Sequence, residues 1–181
     1  LTQNALNNGY AAEASTENDG TSTGQGYRVF DGVRLERGHH GTSGTYSSGT
    51  YQSNKSIIDV NNKIHSGEWI KLQIPQRIQL DSMRIYNKTD DSTRIVEDFR
   101  VYGSNDNLNW TQLLTVTNQT TIFENVFDVN AVGFYEYIAL VVTKISGQTN
   151  YFRIVELEYF GTPEYDPEAH GTDVVLHTTP T

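Results

Sequence analysis

From Lys55 onward, apolar and polar residues alternate with a period of two. In Glu68–Ile74 (EWIKLQI), Ile70, Leu72 and Ile74 alternate with Trp69, Lys71 and Gln73, the pattern of a strand with one buried face. Pro75 follows and is expected to end that strand or confine it to an edge, because proline donates no ladder hydrogen bond. The alternation recurs in RIQLDSMRIYN, through Ile78, Leu80, Met83 and Ile85, and in EDFRVYGS, where Phe99 and Val101 oppose Arg100 and Tyr102. WTQLLTVT follows the polar turn SNDNLN. YEYIALVVTKI is a near-continuous apolar run rich in β-branched residues, which reads as a buried central strand. YFRIVELEYFG alternates again, with Phe152, Ile154 and Leu157 facing inward. No segment sustains a helical period. Short strands separated by polar turns predict an all-β, antiparallel β-sandwich.

The first third reads differently. TENDGTSTGQG is loop by composition, and NNGYAAEAS has room for one short strand. Gly26–Ser53 (GYRVFDGVRLERGHHGTSGTYSSGTYQS) is rich in Gly, Ser and Thr, yet it carries an Asp-Gly pair, a double histidine and three tyrosines besides Phe30. So long a loop in a compact domain is ordered by something. Beyond Gly161, residues 162–181 combine three prolines with acidic and small residues, the composition of a linker. TDVVLHT there reads as the start of a following domain, and the chain as a fragment of a longer polypeptide.

Composition narrows the function. The chain is 36% hydrophobic and 19% charged, and Tyr outnumbers Phe by 11 to 7, a balance suited to half-buried strands and contact surfaces. Its net charge of -9 and the absence of a basic stripe argue against nucleic acid and anionic membranes as partners. No cysteine is present, so stability rests on packing and on any bound ion. No G-x-S-x-G motif occurs and the carboxylates are scattered, so the sequence shows no catalytic constellation and the chain is not read as an enzyme. The sequons at Asn54, Asn87, Asn109 and Asn118 are matches expected by chance in a chain so rich in Asn and Thr.

Three stretches together resemble the discoidin domain, the family of the coagulation-factor C-type domains and the galactose-binding-like carbohydrate-binding modules. They are GEWIKLQIPQRIQLDSMRIYN, VEDFRVYGSNDNLNWTQL and YEYIALVVTKISGQTNYFRIVELEYFG. Trp69 opens the strand that relatives write as Trp with alternating apolar residues, although Gln73 stands where they carry Asp. Ser104, Asp106 and Trp110 match the family hairpin, and Glu156 and Gly161 match its closing strand. The resemblance covers about Leu6 to Gly161 and implies a discoidin-like domain over 1–161 with a galactose-binding-like jelly roll.

The resemblance also implies a structural calcium ion wrapped by the early loop. Carried over by position, its ligands are Asp31, Thr45 and Glu156, with carbonyls near Val29 or Phe30, and Tyr46 stands for a family Trp as the loop's anchor. The residues themselves leave alternatives open. Asp31-Gly32 is also a type I′ turn pair, and Glu156 also reads as an exposed strand charge. His39-His40 is a poor zinc pair, because neighbours on a strand point to opposite faces and no cysteine helps.

Two functions follow from different classes. One is a non-catalytic carbohydrate-binding, lectin-like adhesion module whose loops present His39, Tyr46, Asn87, Arg94, Asn150 and Tyr151 to a sugar, with Tyr stacking and Arg and Asn bonding hydroxyls. The other is a structural or protein-binding spacer. The expected partners of the first are glycans of a cell surface or matrix and other domains of the same polypeptide, at an extracellular, cell-surface or virion-surface location.

Overall fold

The computed structural model describes residues 8–17, 25–34, 38–88, 92–147 and 150–165. A short strand β1 (Ala11–Ala14) and a 3-10 helix (Gly26–Phe30) lead into three two-residue strands, β2 (His39–His40), β3 (Tyr46–Ser47) and β4 (Thr50–Tyr51). Then come β5 (Ser56–Asp59), β6 (Ile64–Ser66), β7 (Glu68–Asn87), β8 (Val96–Ser104) and β9 (Asn109–Val116). The chain closes with β10 (Glu124–Asp128), β11 (Phe134–Ile145) and β12 (Arg153–Pro163). The linker expected from residue 162 lies mostly outside the described residues.

β7 organises the molecule. Its first half pairs with β1 on one side and β11 on the other, and its second half pairs with β10 and β12. The sheet continues from β11 through β8 and β9 to β5 and β6. It thereby curls over one core as a β-sandwich. All these pairings are antiparallel except β5 with β9, which is parallel.

Pro75 does not end the strand, as the sequence suggested; β7 runs through it for 20 residues. The reason is local. Gln73 pairs with Tyr137 and Ile78 with Tyr135, and the ladder is irregular between them. Pro75 falls in that gap, where its missing N–H leaves no ladder bond unmade.

The core explains the apolar run of β11. Ile138, Leu140 and Val142 join Val29, Ile70, Leu80, Ile85, Phe99, Val101 and Ile154 between the layers. Ala139 and Val141 point the other way, into a second cluster with Ile57, Tyr102 and Trp110. A strand buried on both faces needs apolar residues at odd and even positions alike. Each large side chain so buried contributes about 1.5–3 kcal/mol relative to exposure.

The β8–β9 turn is held by Asp106. Its carboxylate accepts the backbone N–H of Leu108 and of Asn109 and the side-chain amide of Asn109. These donors, led by the Asn109 side chain, hold its pKa well below the usual carboxylate range.

Candidate functional site

Three connections meet at one end of the sandwich, each fixed by backbone bonds to the next. In the β7–β8 loop, the N–H of Ile95 donates to Ser146 Oγ at 3.1 Å, and Ser146 Oγ donates to the carbonyl of Ser92 at 2.8 Å. The N–H of Arg153 donates to the carbonyl of Arg94 at 3.2 Å. The early loop joins them through Asn150: its carbonyl accepts the N–H of Gly44 and of Tyr46, both at 3.2 Å, and its Nδ2 donates to Ser43 Oγ at 2.8 Å. Gly147 makes the close approach. It adopts φ +76°, and a Cβ there would lie 3.0 Å from Thr93 Cβ.

On this base the guanidinium carbon of Arg94 lies 4.4 Å from the centroid of the Tyr151 ring, within cation–π range. Both side chains are half-buried and Asn150 is exposed. A ring, a planar five-donor cation and an amide therefore share one surface. That is the equipment for stacking on a ring's C–H face while bonding its hydroxyls.

The other three sugar candidates lie beneath that surface. His39 is fully buried, with its ring centroid 5.3 Å from that of Phe152. Tyr46 is buried between Tyr51 and Phe152, and its hydroxyl donates to the carbonyl of Val142 at 3.3 Å. Burial raises its pKa well above the usual phenol value. Asn87 is buried at the end of β7, with Nδ2 donating to the carbonyl of Thr121 at 3.4 Å. These residues support the loops from below.

The acids fall into two places. Glu156 is buried, not an exposed strand charge. Its Oε1 accepts the N–H of Gly32 at 3.0 Å, and its Oε2 is buried with no hydrogen-bond partner among the described residues. Burial, and then the nearby Asp31 and Glu158 carboxylates, push its pKa up to about 8. Asp31 follows the 3-10 helix; its Oδ1 accepts the N–H of Val33 at 2.9 Å, and its Oδ2 lies 3.8 Å from Arg28 Nη1. With φ -95° at Asp31 and +78° at Gly32, the pair is not a type I′ turn, which needs positive φ at both residues.

Thr45 lies elsewhere, against an acid the sequence reading did not single out. Its hydroxyl contacts Glu68 Oε2 at 3.2 Å, the carbonyl of Thr42 at 3.0 Å and that of Asn150 at 3.3 Å. Glu68 is fully buried, and Thr16 also donates its hydroxyl to it. Burial raises its pKa to about 7 against the opposing hydrogen bonds. A signal was present in the sequence: Glu68 shares its parity with Ile70, Leu72 and Ile74, the inward positions of the strand. Among the described residues no three His, Cys, Asp or Glu side chains converge, so a cation here would also draw on hydroxyl and carbonyl oxygens.

A cavity of about 690 Å³ lies elsewhere. It is an open, mainly apolar groove bordered by Tyr10, Pro75, Ile78 and Phe160, with Glu156 in its wall. None of Arg94, Asn150 and Tyr151 lines it.

Comparison with known proteins agrees with the fold. The family model described as F5/8 type C domain matches residues 11–157. No curated protein matches the sequence. Among solved structures, a family 32 carbohydrate-binding module of Clostridium perfringens in complex with GalNAc-β-1,3-galactose is 14% identical, with a TM-score of 0.63 over 85% of this chain and 96% of that one. Another such module, from a family 31 glycoside hydrolase of the same organism, is 16% identical with a TM-score of 0.65, covering 86% and 92% of the two chains. A chitosan-binding module of a chitosanase/glucanase from Paenibacillus sp. IK-5 is 17% identical with a TM-score of 0.61, covering 84% and 96%. At such identities the likeness is one of fold.

Proposed function

Since this chain belongs to the F5/8 type C, or discoidin, family, we propose that it is a non-catalytic carbohydrate-binding module of a larger surface or secreted protein, stabilised by a structural calcium ion. The observation that carries the sugar reading is the Arg94–Tyr151 stack beside Asn150 on a loop end cross-linked by backbone bonds. Tyr151 offers its ring to the apolar face of a pyranose, while Arg94 and the Asn150 amide bond its hydroxyls. Because the loops are already tied together, little conformational entropy is lost on binding. Structural neighbours that bind GalNAc-β-1,3-galactose or chitosan support a glycan as the ligand. Contacts so few and polar imply a micromolar to millimolar Kd, with avidity supplied by repeated modules in the parent protein.

The calcium belongs at Asp31 and Glu156. The fit rests on Glu156, whose buried Oε2 has no partner among the described residues and whose carboxylate lies near that of Asp31. Two like charges in a buried setting favour either a proton or a cation. When bound, calcium supplies that positive charge. Asp31 and Glu156 would hold it with carbonyls of the 3-10 turn near Val29 or Phe30, joining the early loop to β12. Thr45, expected in the same set, spends its hydroxyl at Glu68.

Calorimetry against monosaccharides and oligosaccharides at millimolar concentration tests the sugar reading. Saturable heat that Tyr151→Ala abolishes supports it. No heat across a broad panel points instead to a structural or protein-binding spacer.

A further inference from the structure

The inward positions of β7 do not all reach the core. Ile70 packs into it, whereas Leu72 and Ile74, of the same parity, belong to neither apolar cluster. They line the groove of about 690 Å³ beside Pro75 instead. Water against such apolar walls is unfavourable, and the volume lies within the roughly 300–1,000 Å³ of small-molecule pockets. The charged residues lining the groove are Arg34, Arg84, Glu156 and Glu158. Glu158 is shared by both cations: its Oε1 accepts Arg34 Nε at 3.1 Å and also Nη2, and its Oε2 accepts Arg84 Nη1 at 3.3 Å. Arg84 Nη1 also donates to the Tyr86 hydroxyl at 3.0 Å, and Arg84 Nε lies 3.2 Å from Glu124 Oε1. Glu156 turns its Oε1 to the Gly32 N–H. The guanidiniums lie against rings, Arg34 at 4.8 Å from the Tyr86 centroid and Arg84 at 5.3 Å from that of Phe160. Stacking occupies a guanidinium's face and leaves its in-plane donors for hydrogen bonds. Each guanidinium has five N–H donors. Among the described residues Arg34 Nη1 and Arg84 Nη2 have no acceptor, and the two side chains are 50% and 29% exposed.

We propose that this groove binds a small amphipathic carboxylate, with its apolar body against Leu72, Ile74 and Pro75 and its head group at Arg34 and Arg84. The choice of head group follows from the donors. A carboxylate offers two coplanar oxygens, which match the fork of a guanidinium and make charge-assisted bonds. An ammonium would instead meet two like charges whose shared carboxylate, Glu158, is already bonded to both. An alcohol brings one oxygen and no charge. A free sugar would set its hydroxyls against the apolar walls and lose their bonds to water. The site is separate from the loop end, and it rests on neither the carbohydrate reading nor the calcium ion.

The test is calorimetry on the full chain in chelator, without sugar, using octanoate, octanol and octylammonium below their micelle-forming concentrations. Octanoate should bind saturably at one site, at least tenfold more tightly than the alcohol or the ammonium. Arg34→Gln and Arg84→Gln should each weaken octanoate at least fivefold, and Glu156→Gln, which removes an acid from the wall, should not weaken it. Amide chemical shifts during the octanoate titration should move at residues 72–78 and 157–161. The proposal is overturned if octanoate gives no saturable binding, if octanol or octylammonium binds as tightly, or if both arginine variants keep wild-type affinity. Shifts confined to residues 43–46, 92–95 and 150–153 overturn it as well. Should an arginine variant fail to melt cooperatively, the three wild-type ligands and the shift map decide by the same criteria.

Discussion

The guanidinium of Arg94 stacks on the ring of Tyr151 at 4.4 Å, although the two residues come from different connections, β7–β8 and β11–β12. The bond between the Arg153 N–H and the Arg94 carbonyl brings those connections together. The stack therefore reports on the whole loop end, and changing either partner tests its chemistry apart from the fold.

Arg94→Lys should reduce sugar affinity about five- to tenfold, roughly 1–1.4 kcal/mol, because a compact ammonium neither stacks flat nor presents a planar fork. Tyr151→Phe keeps the ring and should lose less than about threefold, roughly 0.7 kcal/mol. Calorimetry on both variants checks the order. Equal losses would mean that the hydroxyl, not the ring face, is the feature used.

Gly147→Ala should disturb the surface without touching a contact residue. The position has φ +76°, and the new Cβ would press on Thr93 at 3.0 Å. A destabilisation of about 1–2 kcal/mol is expected from the strained backbone alone. Displacement of the neighbouring loop should also weaken sugar binding, measured at a temperature where the variant is fully folded. A variant with wild-type melting and wild-type affinity would show that this close approach is not needed.

Asp31→Ala should lower the melting temperature in calcium but change it much less in chelator. A ligand that binds only the folded state adds RT ln(1 + [L]/Kd), about 2.7 kcal/mol at a hundredfold excess over Kd. Differential scanning fluorimetry of both proteins, with calcium and with chelator, makes the comparison. An identical wild-type melting temperature in both solutions would argue against any structural ion.

The ion-free protein should become more stable as pH falls from 8 to 5. Glu68 and Glu156 are raised to about 7 and about 8 from 4.5, so the native state holds protons that the unfolded chain has released. Stability is then lost as pH rises through that window, by roughly 1–3 kcal/mol for Glu68. Calcium should flatten the trend by replacing the protons. Urea melts in chelator at several pH values give the slope, and stability that rises with pH over this range would contradict the assignment.

Much of the fold was legible because burial and strand period coincide. Ile70, Leu80, Ile85 and Phe99 face the core as alternation predicts. Pro75 misled because its effect depends on the ladder beside it, and the β11 irregularity that accommodates it leaves no mark in β7. β10 (Glu124–Asp128) was missed because only its partly buried Asn125 and Phe127 alternate with exposed residues. At the site, Arg94, Asn150 and Tyr151 were recognisable as polar and aromatic loop residues. His39 and Asn87 looked like loop residues too, and only the three-dimensional stacking of loops over them makes them interior. Glu68 was hidden by its charge, which reads as exposed until its parity with the inward residues is counted.

The central claim is that the loop end binds a sugar, and amide chemical-shift mapping of the labelled protein during a sugar titration tests it most directly. With galactose, N-acetylgalactosamine and chitosan oligosaccharides as probes, the account predicts saturable shifts for at least one sugar. They should be concentrated at residues 43–46, 92–95 and 150–153 and reduced in Tyr151→Ala. Shifts confined to the groove beside Pro75 and Phe160, or no shift with any probe at millimolar concentration, would contradict it.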